Sequence, residues 1–245
     1  TNIGFAFAPE TFTISELRTP SDTWRPATGT PTPSEVAELV AAALLASARD
    51  SFDPMEKAFD ELGHTQLAAT EHLHDTGWTL VRAYGLRPDL LAVTHVWQTV
   101  GSNQPMVVAL KGAPEAVFEC CRLSAPETAA QMLAVNSMAA EGLRILGVAR
   151  GVTAAADLPE SPRDFRFEFL GLIGLADPLR PGVAAAVREC RSAGIRVAMI
   201  TGDYPATAQA IARQAGLVDG GVTEGTALKG LSPEALGQRV EATSV

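Results

Sequence analysis

The chain has 245 residues, 47% hydrophobic and 19% charged, with a formal net charge of -9. That is the composition of a folding globular chain, long enough for one large domain or two unequal ones. The acidic balance excludes a nucleic-acid partner, because such binders carry a basic face. No apolar run reaches the roughly 18 to 20 residues that cross a bilayer, and no signal peptide opens the chain, so it reads as soluble in itself.

Cys120, Cys121 and Cys190 form no Cys-x-x-Cys pair and fit a reducing compartment better than a disulfide framework. His64, His72, His74 and His95 include one His-x-His but no His-Glu-x-x-His and no cysteine at metal spacing. They read as ordinary histidines, and no metal site is expected.

In chain order, the alternation around Phe12 and Ile14 predicts a strand over 11–17, followed by a Pro/Thr-rich loop to residue 33. Thr32-Pro33-Ser34-Glu35 has the form of a capping box with proline at the first helical position, opening an apolar core helix over 34–48. A second helix runs through Leu62. Val- and aromatic-rich runs at 78–83, 91–98 and 105–110 predict an antiparallel sheet. Ser124-Ala125-Pro126-Glu127 is another capping box, opening a long helix that ends near Gly142, with a strand over 143–149 behind it. From residue 167 the pattern becomes β-α-β: a continuous apolar strand over 169–175, a helix over 181–193 and a strand over 195–200. A helix from Pro205 to Gly216 follows, which puts Thr201-Gly202-Asp203 at the carboxyl edge of a parallel sheet.

Three motifs carry chemistry. Lys111-Gly112-Ala113-Pro114-Glu115 sets a cation beside a turn where a phosphate or an adenine edge could lie; it equally suits an ordinary Gly-Pro turn closing a strand. Met199-Ile200-Thr201-Gly202-Asp203 offers a hydroxyl, an approachable backbone and a carboxylate at a helix start, which suits a phosphate with a metal; alternatively Asp203 only caps the helix. Asp177-Pro178-Leu179-Arg180 is either part of such a site or good turn chemistry.

Taken in order, Asp53-Pro54-Met55-Glu56-Lys57-Ala58, Lys111 to Glu115, Leu143-Arg144-Ile145-Leu146, Asp177 to Arg180 and Met199 to Asp203 resemble the successive motifs of P-type cation-transporting ATPases. The resemblance covers about residues 11 to 245. It implies an α/β protein: an α+β nucleotide-binding domain over 10–176, its antiparallel sheet flanked by helices, then an incomplete Rossmann-like, haloacid-dehalogenase-type phosphorylation domain over 177–245, with 1–9 a remnant or hinge. It also implies that ATP is the ligand. Glu56 would lie near the adenine amino group, and Lys111, with Gly112 and Ala113, would line the pocket. Arg144 would reach the phosphate region with Leu146 packed nearby. Thr201 and Gly202 would contact the transferred phosphoryl group in a motif completed by Asp203, and Asp177 and Arg180 would sit at the hinge. Phosphoryl transfer depends mainly on positioning and charge stabilisation, so two domains can each hold one end of ATP. Tyr84 or Leu86 would take the place of the ring that stacks on adenine, while Leu90 and Leu91 stand where a second pocket lysine is expected.

The sequence departs from the family's pattern in lacking Asp-Lys-Thr-Gly-Thr, whose aspartate is phosphorylated, and Gly-Asp-Gly-x-Asn-Asp, which completes the magnesium site. Asn2 falls at the nucleophile's position, and an amide is no carboxylate nucleophile. The expectation is therefore a truncated, ATP-binding piece of a pump on the cytoplasmic face of a membrane. Mg2+ would act only in the complete parent, and the transmembrane and actuator domains would be its partners. This chain should not turn over alone. The alternative is a catalytically inactive interaction or regulatory module; a phosphatase finds no Asp-x-Asp here. The unpaired edge of a half-built parallel sheet makes a homodimer a further expectation.

Overall fold

A computed structural model of the chain describes residues 12–27, 31–48, 52–67, 77–99, 105–154, 157–217, 221–243 and 245. Asn2, His72 and His74 lie outside the described residues. The chain divides into a larger unit, Phe12–Val135 with Ile145–Leu175, and a smaller one that includes Asn136–Arg144 and Ala176–Val245.

In the larger unit β-branched and aromatic residues favour pleated strands. The elements are β1 (Thr13–Arg18), β2 (Thr23–Trp24), α1 (Ser34–Leu45), α2 (Pro54–Gln66), β3 (Trp78–Tyr84), β4 (Ala92–Thr99), β5 (Met106–Gly112) and α3 (Pro114–Cys121). After these come α4 (Ala125–Ala140), β6 (Leu143–Thr153) and β7 (Glu168–Ala176). The seven strands form one sheet in the order β2-β1-β7-β6-β5-β4-β3. The pairs β1–β2, β3–β4, β4–β5 and β5–β6 are antiparallel.

Register assigns the faces, since side chains alternate along a strand and cross-strand partners share a side. Val93 pairs with Lys111, His95 with Ala109 and Trp97 with Val107, and Lys111 pairs onward with Val148. This face is covered by α1 and α2: Val148 joins Val36, Leu39, Val40, Phe59 and Leu62, while Trp97 and Ala109 join Leu45 and Ala46. The opposite face carries Tyr84, Thr94, Leu110 and Ala149 in register. There α3 packs Val117 and Cys120 on Leu110 and Ala149. In β7, Leu170 and Ile173 both pack on the α1–α2 side, so the alternation slips by one residue between them. Gly171 makes this possible: at φ 152° its backbone runs so close to β1 that an added Cβ would lie 2.2 Å from Arg18 O.

The helix ends show which local signals act. The second capping box forms, with Ser124 N–H donating to Glu127 Oε2 at 2.8 Å. The first does not: Pro33 is the N-cap of α1 and makes no side-chain cap bond. Thr32 Oγ1 instead donates to Gln66 Oε1 at 2.8 Å, and Glu35 accepts from Ser21 Oγ. Tertiary partners have outbid the local cap. The N-cap of α2 is Asp53, which accepts from Met55 N–H at 2.8 Å with Pro54 in the first turn.

The smaller unit contains α5 (Val183–Ser192), α6 (Pro205–Ala215), α7 (Gly225–Leu228) and α8 (Pro233–Glu241). Val187 of α5 packs with Ala212, Ala215 and Leu217, and the partly buried Val197 and Met199 pack against them. The β-α-β expectation is corrected here. Its first strand is β7 of the larger sheet, and 195–200 forms no strand among the described residues. The smaller unit has an isolated parallel bridge, Gly221↔Thr243. A strand exists through its ladder, and 195–200 has no ladder partner among the described residues; Ile200 is fully exposed. The antiparallel sheet flanked by helices stands as expected.

Candidate functional site

Two clusters of functional side chains form, one in each unit. In the larger unit the centre is Lys111, 6% exposed near the end of β5. A buried ammonium is costly unless every N–H is engaged. Lys111 Nζ donates to Glu56 Oε1 at 2.7 Å and to Ser47 Oγ at 2.5 Å, and stands 4.7 Å from the centre of the Phe59 ring. Burial pulls the Lys111 ammonium below its ordinary range, while Glu56, and more weakly Asp53, pull it back up. Glu56 lies in the first turn of α2, where exposed N–H groups favour an anion. Its second oxygen, Oε2, is buried and accepts no hydrogen bond among the described residues. A buried carboxylate oxygen without a protein donor is an acceptor that a water or a ligand N–H would satisfy.

The frame of this cluster is the last turn of α1. Leu45 O accepts from His95 Nδ1 at 3.0 Å and from Trp97 Nε1 at 2.7 Å. The carbonyl has no proton to give, so His95 carries its own on Nδ1. Burial is the main reason that its pKa lies below the usual histidine value. Ser47 and His95 were missed from sequence: Ser47 is a lone serine after an apolar helix, and His95 sits in an ordinary alternating strand.

Gly112 and Ala113 make the strand-to-helix turn. A Cβ on Gly112 would lie 2.3 Å from Leu91 O, Ala113 N–H donates to Leu91 O at 2.8 Å, and Ala113 is the N-cap of α3. Leu146 packs, half-buried, on the same cluster as Val148. Tyr84 does not join Lys111. It lies on the other face of the sheet, where its hydroxyl donates to Pro159 O at 2.6 Å, Arg82 stands over its ring and Phe165 meets it edge to face. Leu86 is 67% exposed, beyond the end of β3.

In the smaller unit, Arg144 donates through Nε and Nη2 to Asp203 Oδ1 at 3.0 and 2.8 Å. Thr201 Oγ1 donates to Asp203 Oδ2 at 2.9 Å and accepts from Asp203 N–H at 3.1 Å. Asp203 is not a helix cap: the N-cap of α6 is Tyr204, with no side-chain cap bond. Asp177 belongs to the same cluster. Burial raises its pKa, Arg144 opposes that and Asp203 adds to it, and its Oδ1 is buried without a donor among the described residues. Arg180 follows Asp177 by three residues, and its carbonyl accepts from Val183 N–H at the start of α5. Gly202 faces open space, beside a cavity of about 600 Å³ lined by Met199, Thr201, Asp203, Val222 and Leu228 among others.

Among the described residues no group of three or more His, Cys, Asp or Glu side chains is arranged to hold a metal. Burial pushes the thiols of Cys120 and Cys121 up to about 11 and about 12, so neither is a thiolate nucleophile near neutrality. No helix among the described residues is long and apolar enough to cross a membrane.

The sequence fits the haloacid dehalogenase-like hydrolase family over residues 28–243, and the chain belongs to that family. Within curated proteins it is 35% identical over 150 residues to the sodium/potassium exporting P-type ATPase cta3 of Schizosaccharomyces pombe, covering 57% of this chain and 14% of that protein. It is 35% identical over 217 residues to the probable cation-transporting ATPase I of Mycobacterium leprae, covering 80% of this chain and 13% of that one. It is also 35% identical over 137 residues to the potassium-transporting ATPase alpha chain 2 of Rattus norvegicus, covering 48% and 13% respectively. The resemblance to P-type cation-transporting ATPases seen in the motifs is thus matched by relatives of that name, of which this chain spans a small part.

Proposed function

We propose that this chain is the ATP-binding part of a P-type cation pump, acting on the cytoplasmic face of a membrane with the pump's transmembrane and actuator domains as partners. The observation that carries the reading is the open, buried Oε2 of Glu56, held in place through Oε1 by Lys111. An acceptor of this kind suits the exocyclic amino group of adenine, and the Lys111 ammonium beside it holds the other carboxylate oxygen by a charge-assisted hydrogen bond. Gly112, Ala113 and Leu146 frame that pocket.

Arg144, Asp177, Arg180, Thr201, Gly202 and Asp203 are read as the phosphate-handling cluster. Thr201 and Gly202 offer a hydroxyl and an unobstructed backbone to a phosphoryl group, and Arg144 offers the cation. ATP supplies the phosphoryl group when bound; this chain's residues bind and orient it. The sequence has no Asp-Lys-Thr-Gly-Thr, so binding without turnover is expected.

Calorimetric titration with ATP tests this. Micromolar to millimolar binding by the wild-type chain, lost in Glu56→Ala and in Lys111→Ala, supports the reading. No binding by the folded chain moves the catalytically inactive interaction module ahead. A homodimer is a subsidiary proposal, favoured by the fully exposed Ile200 in the unpaired 195–200 segment. Sedimentation showing only monomer at high concentration would count against it.

A further inference from the structure

We infer that Ser47, at the end of α1, is a positioning residue for the nucleotide site: its hydroxyl holds the Lys111 ammonium against Glu56, so that the second Glu56 oxygen stays open for the ligand. The inference rests on the ATP-binding reading above and adds to it a residue that no motif contains.

The geometry leaves the Ser47 hydroxyl one role. Ser47 is 6% exposed, and its Oγ donates its only proton to Ala43 O at 2.8 Å, one turn back. Its lone pairs are therefore all that faces Lys111 Nζ, 2.5 Å away. A serine that points its proton elsewhere is a fixed acceptor, suited to a cation and not to a neutral amine seeking to accept. The turn that presents it is locked from the sheet side, because Leu45 O is held by both His95 and Trp97. The ammonium thus has three supports from two elements: Ser47 after α1, and Glu56 and the Phe59 ring from α2, with its own stem rising from β5.

The ionisable groups around Lys111 are few. Asp53 and Glu56 face it from α2 and His95 from β4; its β6 partner is Val148, and Arg150 further along β6 is paired with Glu38 of α1. Among the described residues only Glu56 and Ser47 touch the ammonium through hydrogen bonds. Removing the Ser47 hydroxyl takes away a bond made to the charged form, so Lys111 should lose its proton at lower pH.

The test uses the whole chain, whose lysines are Lys57, Lys111 and Lys229. With lysine labelled at 13Cε, the Lys111 titration is followed by NMR in wild type, Ser47→Ala and Ser47→Thr, alongside ATP affinity by calorimetry from neutral to alkaline pH. The expected result is a lower Lys111 titration in Ser47→Ala. With it should come about fivefold or greater loss of ATP affinity near neutrality, on the scale of a weakened charge-assisted hydrogen bond, and an alkaline loss of binding displaced to lower pH. Ser47→Thr, which keeps the hydroxyl, should restore all three. An unchanged Lys111 titration in Ser47→Ala overturns the proposal, as does equal impairment of the Ala and Thr variants, which would mark mere packing. If wild type binds no ATP, the functional reading fails on its own, and the Lys111 titration still decides whether Ser47 holds the ammonium.

Discussion

Arg144 grips Asp203 through two guanidinium nitrogens on a single carboxylate oxygen, at 3.0 and 2.8 Å, and leaves the other oxygen to the Thr201 hydroxyl. The carboxylate is therefore a hub that shapes the Thr-Gly-Asp turn. Asp203→Asn keeps the shape, removes the charge and replaces one acceptor by an amide that cannot accept from Arg144 or Thr201. With the Arg144 side chain 37% exposed, solvent screening limits the loss to about 1 kcal/mol. Hydrogen exchange should show the loss in α6 while the amides of β5 keep wild-type protection.

The Lys111–Glu56 pair lies between side chains 7% and 19% exposed. Lys111→Met strands a carboxylate in a dry pocket and should cost about 3 kcal/mol in urea unfolding. The double variant Lys111→Met/Glu56→Leu should regain most of that stability and still fail to bind ATP. A loss in the double variant equal to the sum of the losses in Lys111→Met and Glu56→Leu would show that the pair is not coupled.

Gly112→Ala should destabilise by about 1–3 kcal/mol, the scale of a forced clash in a packed core. The obstacle is backbone: the new Cβ would lie 2.3 Å from Leu91 O and 2.5 Å from Ala92 Cα. Gly202→Ala, with open space around the added atom, should leave the melting temperature near wild type.

His95 is held neutral by burial, with its folded pKa below the ordinary 6.5. Above 6.5 neither the folded nor the unfolded chain protonates this ring, and its contribution is fully present. As pH falls below 6.5 the unfolded chain takes up the proton first, so stability drops until the folded value is passed, by at most about 1.4 kcal/mol per pH unit for one proton. Denaturant midpoints between pH 7.5 and 5 should show this fall in wild type and a shallower one in His95→Phe.

Much of this was legible in the chain itself. The apolar runs that form β3 to β6, the capping box at Ser124 and the Pro205–Gly216 helix are local signals, and they need nothing beyond sterics and periodicity to be read. The order of Glu56, Lys111, Arg144, Asp177 and Thr201-Gly202-Asp203 was sufficient to suggest a P-type cation ATPase. The capping box at Thr32 misled because Glu35 and Thr32 found partners on Ser21 and Gln66, and no local rule weighs such distant competitors. The β-α-β reading of 169–200 failed for a similar reason. An apolar run buried on both faces looks the same in a parallel sheet and in the middle of an antiparallel one.

The sequence by itself determined which residues could do chemistry, because charge, hydroxyl and backbone freedom are properties of single positions. Only the tertiary structure decided which of them meet. Lys111 and Glu56 are 55 residues apart in the chain, and Arg144 and Asp203 are 59 apart. Tyr84, by contrast, is turned away from Lys111 by a strand register that depends on a slip between Leu80 and Arg82. Ser47 shows the difference most plainly. Nothing about a serine after an apolar helix marks it, until α1 and β5 pack together and a buried ammonium requires one more acceptor.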